Sequence, residues 1–263
     1  MTIAVQDFNI SVADGYLFTR QWSPGVTTGE PIILLHDSLG SVELWRDFPE
    51  TLAQVTERPV IAYDRLGFGQ STRCHHSPGV NFILEEAEIV FPALTQALGI
   101  ASCLLLGHSV GGAMALTIAA LHLDKCSAVI TESAQAFVEP LTLEGIRAAQ
   151  KHFSDPQKFA RLTRYHGDKA QWVLDAWTEV WLSPEFASWS LDPYLPRIQC
   201  PVLALHGDAD EYGSEAFPRQ ITEQCSGPSL MKILEDCGHV PHREKPTEVL
   251  ALVTAFVNRA LPN

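Results

Sequence analysis

The sequence predicts an α/β fold: a mostly parallel, doubly wound sheet of about eight strands with a helical cap inserted into it. Three observations carry that expectation. Short unbroken apolar runs recur along the 263 residues, such as Ile32-Ile-Leu-Leu35 and Leu104-Leu-Leu106, and such runs suit strands covered on both faces. Stretches with helical periodicity separate them, so the chain alternates strand and helix as βαβ units do. One interval, 133–197, breaks the alternation and is dense in aromatic residues.

The first 22 residues alternate weakly on either side of Ala13-Asp14-Gly15, which reads as a hairpin. Apolar runs at Pro31–Leu35, Val60–Tyr63, Cys103–Leu106, Ala128–Ile130 and Val202–Leu205 are expected strands, and Leu230–Leu234 forms a further run before the last loop. Helical periodicity covers about 42–55, 82–98, 111–123, 214–225 and 243–260. Residues 1–132 and 198–263 are therefore expected to form one core, with 133–197 as a cap or lid. Inside that interval Leu143–His152 and Gln157–Arg164 look helical. It holds 10 aromatic residues in 65, against 13 in the other 198, which suits either a small aromatic core or the roof of a pocket.

Composition narrows the partners. Eighteen basic against 31 acidic residues give a net charge of −13, a field that repels nucleic acid and anionic membrane and leaves a small molecule as the expected partner. The opening MTIAVQDFNISVADG has neither a basic nor an apolar leader region, and no apolar run is long enough to span a bilayer. Six cysteines lie scattered without CxxC spacing, which suits reduced thiols rather than a disulfide framework or a zinc site. The expectation is a cytoplasmic enzyme, monomer or homodimer, without cofactor or metal.

The string Gly107-His108-Ser109-Val110-Gly111 follows an apolar strand and opens an Ala- and Leu-rich helix. A serine on so sharp a strand-to-helix turn needs glycines on either side, because side chains there would clash. The turn lifts the hydroxyl clear of the sheet and leaves the Val110 N–H free at a helix N-terminus, where it can stabilise an oxyanion. Serine needs a base. Among ten histidines, His239 in Gly238-His239-Val240-Pro241 lies in a loop before the last helix, where it would share a sheet edge with Ser109. His242 is its near rival, although it reads as the first turn of that helix. His206 reads as a packed strand terminus, and His75 and His76 as solvent-facing. The base needs an acid, and both Asp208 and Asp210 follow the strand Val202–Leu205.

With these strings the chain resembles the α/β-hydrolase superfamily over essentially its whole length. Leu34-Leu-His36-Asp-Ser-Leu-Gly40 resembles the loop that supplies a second oxyanion donor, and Asp64-Arg65-Leu-Gly67-Phe-Gly69-Gln-Ser71 resembles the D-x-x-G-x-G-x-S turn. The resemblance implies Asp210, the fourth position of Gly207-Asp-Ala-Asp210, as the acid of a Ser109–Asp210–His239 triad. It implies the N–H groups of Ser38 and Val110 as oxyanion donors. His36, Trp45, His108, Phe137, Trp177, Trp181 and Val240 are the expected substrate-binding residues. Asp37, where relatives often carry glycine, is expected to face away from the oxyanion, and Asp64 and Arg65 to form an ion pair or turn cap. The Asp-Ser-Leu-Gly wording is similar to the Asn-Ser-Leu-Gly loop of enol-lactone hydrolases. Serine at 109 separates the chain from haloalkane dehalogenases and epoxide hydrolases, which carry aspartate there.

The expected activity is cleavage of a small carboxylic ester or lactone through an acyl-enzyme at Ser109. The alternatives are C–C hydrolysis of a diketone or ring-cleavage product, with Arg147, Arg161, Arg164 or Arg197 holding a substrate carboxylate, a ligand-binding signal receptor, and a cofactor-free oxygenase using the His–Asp pair as base.

Overall fold

In a computed structural model, which describes residues 2–27, 29–76 and 78–260, the apolar runs become one eight-stranded sheet. The strands are β1 (Ile3–Val12), β2 (Gly15–Pro24), β3 (Ile32–Leu35), β4 (Val60–Tyr63), β5 (Cys103–His108), β6 (Cys126–Glu132), β7 (Val202–Gly207) and β8 (Ser229–Leu234), in the order β1-β2-β4-β3-β5-β6-β7-β8. The β1–β2 hairpin closes over Ala13-Asp14 with Val12 opposite Gly15, and β2 pairs antiparallel with β4. Every pairing from β4 to β8 is parallel.

Helices cover both faces: α1 (Phe48–Thr56), α2 (Phe82–Glu85) running through a π turn into α3 (Phe91–Ala97), α4 (Val110–Leu121), α5 (Pro140–Phe153), α6 (Pro156–His166), α7 (Ala170–Trp181), α8 (Ala216–Gln224), α9 (Pro241–Glu244) and α10 (Pro246–Ala260). Because strand side chains alternate, Ile33 and Leu35 of β3 enter the core beneath α3, α4 and α8, while Ile32 and Leu34 enter the one beneath α1 and α10. The central strands β3, β4, β5 and β7 are buried along their whole length, which is why they read as unbroken apolar runs. All of α4 from Val110 to Ala120 is buried, consistent with a helix that is apolar all round.

The segment 133–197 contributes no strand to the sheet, only an isolated bridge between Phe137 and Ser190. It holds α7 as well as the two helices its periodicity suggests. Polar ties fasten it to the loops below: His166 accepts the Gly69 N–H (2.9 Å) and its other ring nitrogen meets the Leu39 carbonyl (3.0 Å). Lys169 donates to the carbonyls of Phe68 and Ser71 at 3.0 and 2.6 Å. No described helix is long and apolar enough to cross a membrane.

Candidate active site

Parallel strands deliver their carboxyl ends to one edge, and the loops leaving β3, β5, β6, β7 and β8 meet there. Ser109 sits between β5 and α4 with φ 57° and ψ −126°, a conformation rare for an L-residue. The glycines make that turn possible. A Cβ on Gly107 would lie 2.2 Å from the Gly111 carbonyl oxygen, and one on Gly111 would lie 2.1 Å from that of Leu35. The Ser109 N–H is held by the carbonyl of Glu132, at the end of β6, at 2.8 Å.

The three polar residues expected here come together. Ser109 Oγ lies 2.9 Å from His239 Nε2, and His239 Nδ1 faces both oxygens of Asp210, at 2.8 and 2.9 Å. The Tyr212 N–H donates to Asp210 Oδ1 at 2.8 Å. Burial works to raise the Asp210 carboxyl, but the hydrogen bond and charge of His239 outweigh it and hold the group below its usual range. Asp208, the other aspartate of the loop, instead accepts the Cys237 N–H at 3.3 Å. His242 is turned away: its Nδ1 meets the buried Glu132 carboxylate at 2.7 Å. His206 closes β7 as a packed terminus, its Nε2 2.9 Å from the Gly213 carbonyl.

A cavity of about 250 Å³ opens above Ser109. Ser38, His108, Trp177, Trp181 and Val240 line it, as expected, with the two tryptophans reaching in from α7. Three expected substrate contacts lie elsewhere. Trp45 is buried against His242, ring centroids 4.7 Å apart, because the short turn Val42–Trp45 aims it beneath the site. His36 is buried within its own loop, accepting the Arg65 N–H at 3.1 Å, so it braces two turns and lines no part of this cavity. Phe137 packs edge-on against Phe217 at 4.8 Å, partly buried against the core where its backbone pairs with Ser190.

Of the four arginines of residues 133–197 named for the C–C hydrolase alternative, Arg147, Arg161, Arg164 and Arg197, all are solvent-exposed and none lines the cavity, so that alternative gains no carboxylate binder from them. Asp37 belongs to the cavity wall, yet its carboxylate is occupied, accepting the Leu39 N–H at 2.8 Å and facing His108 Nδ1 at 3.2 Å. The other His108 nitrogen faces the carbonyl of His239 at 2.7 Å. With acceptors at both nitrogens the ring suits the imidazolium form. Burial opposes that charge, but the Asp37 carboxylate raises the His108 pKa overall. Asp64 is a turn cap with no arginine ion-pair partner among the described residues, accepting the N–H groups of Val42 and Gln70 at 2.6 and 2.7 Å.

The motif reading missed Gln135, whose amide nitrogen donates to Ser109 Oγ at 3.2 Å, and Tyr212, whose ring lies 4.7 Å from that of His239. Thr142 and Ile146 of α5 line the cavity as well, and Thr142 donates to the Tyr212 carbonyl at 2.7 Å. Position could have flagged Gln135 and Tyr212, because both follow the carboxyl ends of central strands.

Comparison with known proteins accords with this architecture. A family model described as alpha/beta hydrolase fold matches residues 30–246. The chain is 32% identical over 127 residues to 1-acylglycerol-3-phosphate O-acyltransferase ABHD5 of Mus musculus; that match covers 47% of this chain and only 34% of the relative. It is 27% identical to the monoglyceride lipase of Rattus norvegicus, covering 89% of this chain and 83% of that one. The crystal structure of the enol-lactonase from Burkholderia xenovorans LB400 superposes with a TM-score of 0.76 over 95% of this chain and 99% of the other, a likeness of fold at 18% identity. The protein belongs to the alpha/beta hydrolase fold family.

Proposed function

We propose that this protein is a hydrolase and cleaves a small carboxylic ester or lactone through an acyl-enzyme on Ser109. Family membership supports action on esters or amides. The observation that carries the acyl-enzyme reading is the relay at the cavity floor, with Oγ to Nε2 at 2.9 Å and Nδ1 to a shielded carboxylate at 2.8 Å. In this reading Ser109 attacks the acyl carbon while His239 takes its proton, and Asp210 holds the ring tautomer and stabilises the imidazolium. The N–H groups of Ser38 and Val110 receive the developing oxyanion. His239 then protonates the leaving group and activates the water that releases the acid. Residues 133–197 act as the lid, with Trp177 and Trp181 above the reacting carbonyl.

Turnover of 4-nitrophenyl acetate and butyrate tests the reading. Ser109→Ala is expected to lower kcat by ~10⁴ or more, and wild type is expected to react with a fluorophosphonate at Ser109. Turnover that survives the substitution would refute it.

A further inference from the structure

Beneath the relay, one side chain joins the loops that carry it. His108 ends β5, directly before the nucleophile, and only 2% of its side chain is exposed. Its ring nitrogens face two oxygen acceptors, the Asp37 carboxylate at 3.2 Å and the His239 carbonyl at 2.7 Å. Burial works to raise the Asp37 carboxyl, but His108 holds it well below its usual range, so this group accepts as the carbonyl does. Both ring nitrogens therefore donate inward, and neither is left for a substrate.

The two partners belong to different parts of the machinery. Asp37 precedes Ser38, the proposed oxyanion donor, and His239 is the proposed base. The peptide groups on either side of the base are held by Glu244, whose carboxylate accepts the Gly238 N–H at 2.7 Å and the Val240 N–H at 3.0 Å. Glu244 ends α9, the helix that follows, so this bracket shapes the base loop but travels with it. The bond from the Ala209 N–H to the Cys237 carbonyl, at 2.9 Å, ties the base loop to the acid loop.

His108 makes a different connection. It stands one residue from Ser109 and reaches the backbone of the base across 131 residues. Its own backbone has little slack, because the Ser109 N–H is held by the Glu132 carbonyl at 2.8 Å and the flanking glycines are packed against backbone. A bond of 2.7 Å from a charged ring to a carbonyl is short and directional.

We propose that His108 is a positioning residue: its ring, braced by the Asp37 carboxylate, ties the backbone of His239 to the nucleophile turn and so sets the 2.9 Å separation of Nε2 from Ser109 Oγ. The proposal rests on the Ser109 reading and adds to it a residue that acts through the base and touches no reacting atom. A base displaced by about 1 Å costs ~10²-fold in rate.

Two substitutions divide the two bonds. The amide nitrogen of glutamine falls near the place of Nε2 and that of asparagine near the place of Nδ1. His108→Gln therefore keeps a donor for the His239 carbonyl, and His108→Asn keeps one for Asp37 alone. Both remove the charge and both leave one bond, so a merely structural role would cost them alike. For 4-nitrophenyl butyrate, His108→Gln is expected to stay within about tenfold of wild-type kcat, as loss of one hydrogen bond to a charged group allows. His108→Asn is expected to lose ~10²-fold in kcat at constant KM, with a parallel fall in the rate of fluorophosphonate labelling. His108→Met fills the space of the ring without a donor, carries the same expectation, and stands in for His108→Asn should that variant not fold. Equal losses in the glutamine and asparagine variants, a donor-free variant within tenfold of wild type, or a loss expressed in KM rather than kcat would each overturn the proposal. Failure of the Ser109 reading would show separately, as wild-type ester turnover that Ser109→Ala leaves intact.

Discussion

Asp210→Asn keeps the shape of the acid and removes its charge. In the native arrangement the carboxylate meets His239 Nδ1 with both oxygens, at 2.8 and 2.9 Å, and its side chain is fully shielded from solvent. When His239 takes the serine proton it becomes a cation beside that anion. Charge centres ~4 Å apart at an effective dielectric of ~20 attract by about 4 kcal/mol, and at 1.36 kcal/mol per decade that is ~10³ in rate. The amide adds a second loss. Its NH₂ can donate to Nδ1 and so favour the tautomer with the proton on Nε2, where the ring can no longer accept from Ser109. The expected fall in kcat for 4-nitrophenyl butyrate is therefore ~10³–10⁴, the upper value being that of the same change in serine proteases. The Tyr212 N–H keeps an oxygen to bond, so Tm should move little. Asp208→Asn is the internal control: it alters a 3.3 Å loop contact to Cys237 and should cost less than ~10-fold. Retention of more than a tenth of wild-type kcat by Asp210→Asn, or an equal loss at Asp208, would refute the assignment of the acid.

Other expectations follow from the same geometry. Gly111→Ala forces a methyl to 2.1 Å from a backbone oxygen of β3, so Tm should fall by several degrees and ester turnover should fall with it. His108 has its pKa raised in the fold, so its contribution to stability is fully present below the usual value of 6.5 and is lost as pH rises through the raised value. Thermal unfolding across that range should show Tm declining in wild type and a flatter profile in His108→Gln. Gln135→Ala removes an amide that donates to Ser109 Oγ at 3.2 Å. It should change kcat by ~10-fold at most with KM nearly constant, and loss of fluorophosphonate labelling would contradict that limited role. Trp177→Ala opens the wall shared by the active-site cavity and a neighbouring one of about 210 Å³, and should shift preference toward longer acyl esters, read as the ratio of hexanoate to acetate kcat/KM.

Local chemistry wrote much of this molecule into the chain. The strands β3, β4, β5 and β7 are legible because each is covered on both faces and must be apolar throughout. The serine turn is legible because only glycine fits at 107 and 111, where any Cβ meets backbone. The hairpin is legible because a two-residue turn has its own residue preferences. The π turn at Glu86–Val90 and the third helix of residues 133–197, Ala170–Trp181, escaped the periodicity, since tertiary contacts decide how a short amphipathic stretch is used.

Tertiary structure decided the rest, and the reason is sequence separation. His108 meets His239 across 131 residues, and Ser109 meets Gln135 across 26, so no local pattern announces either pair. Trp45 and Phe137 are expected substrate contacts, and only packing shows them spent on His242 and Phe217. Arg65 sits in a turn motif whose spacing is plain, but its Nε is buried without a hydrogen-bond partner only because distant loops cover it. The chain by itself pointed to Ser109, His239 and Asp210 as residues that meet on the edge of a sheet. Which groups surround them, and therefore which substrate they admit, was decided by loops that meet only when the sheet has formed.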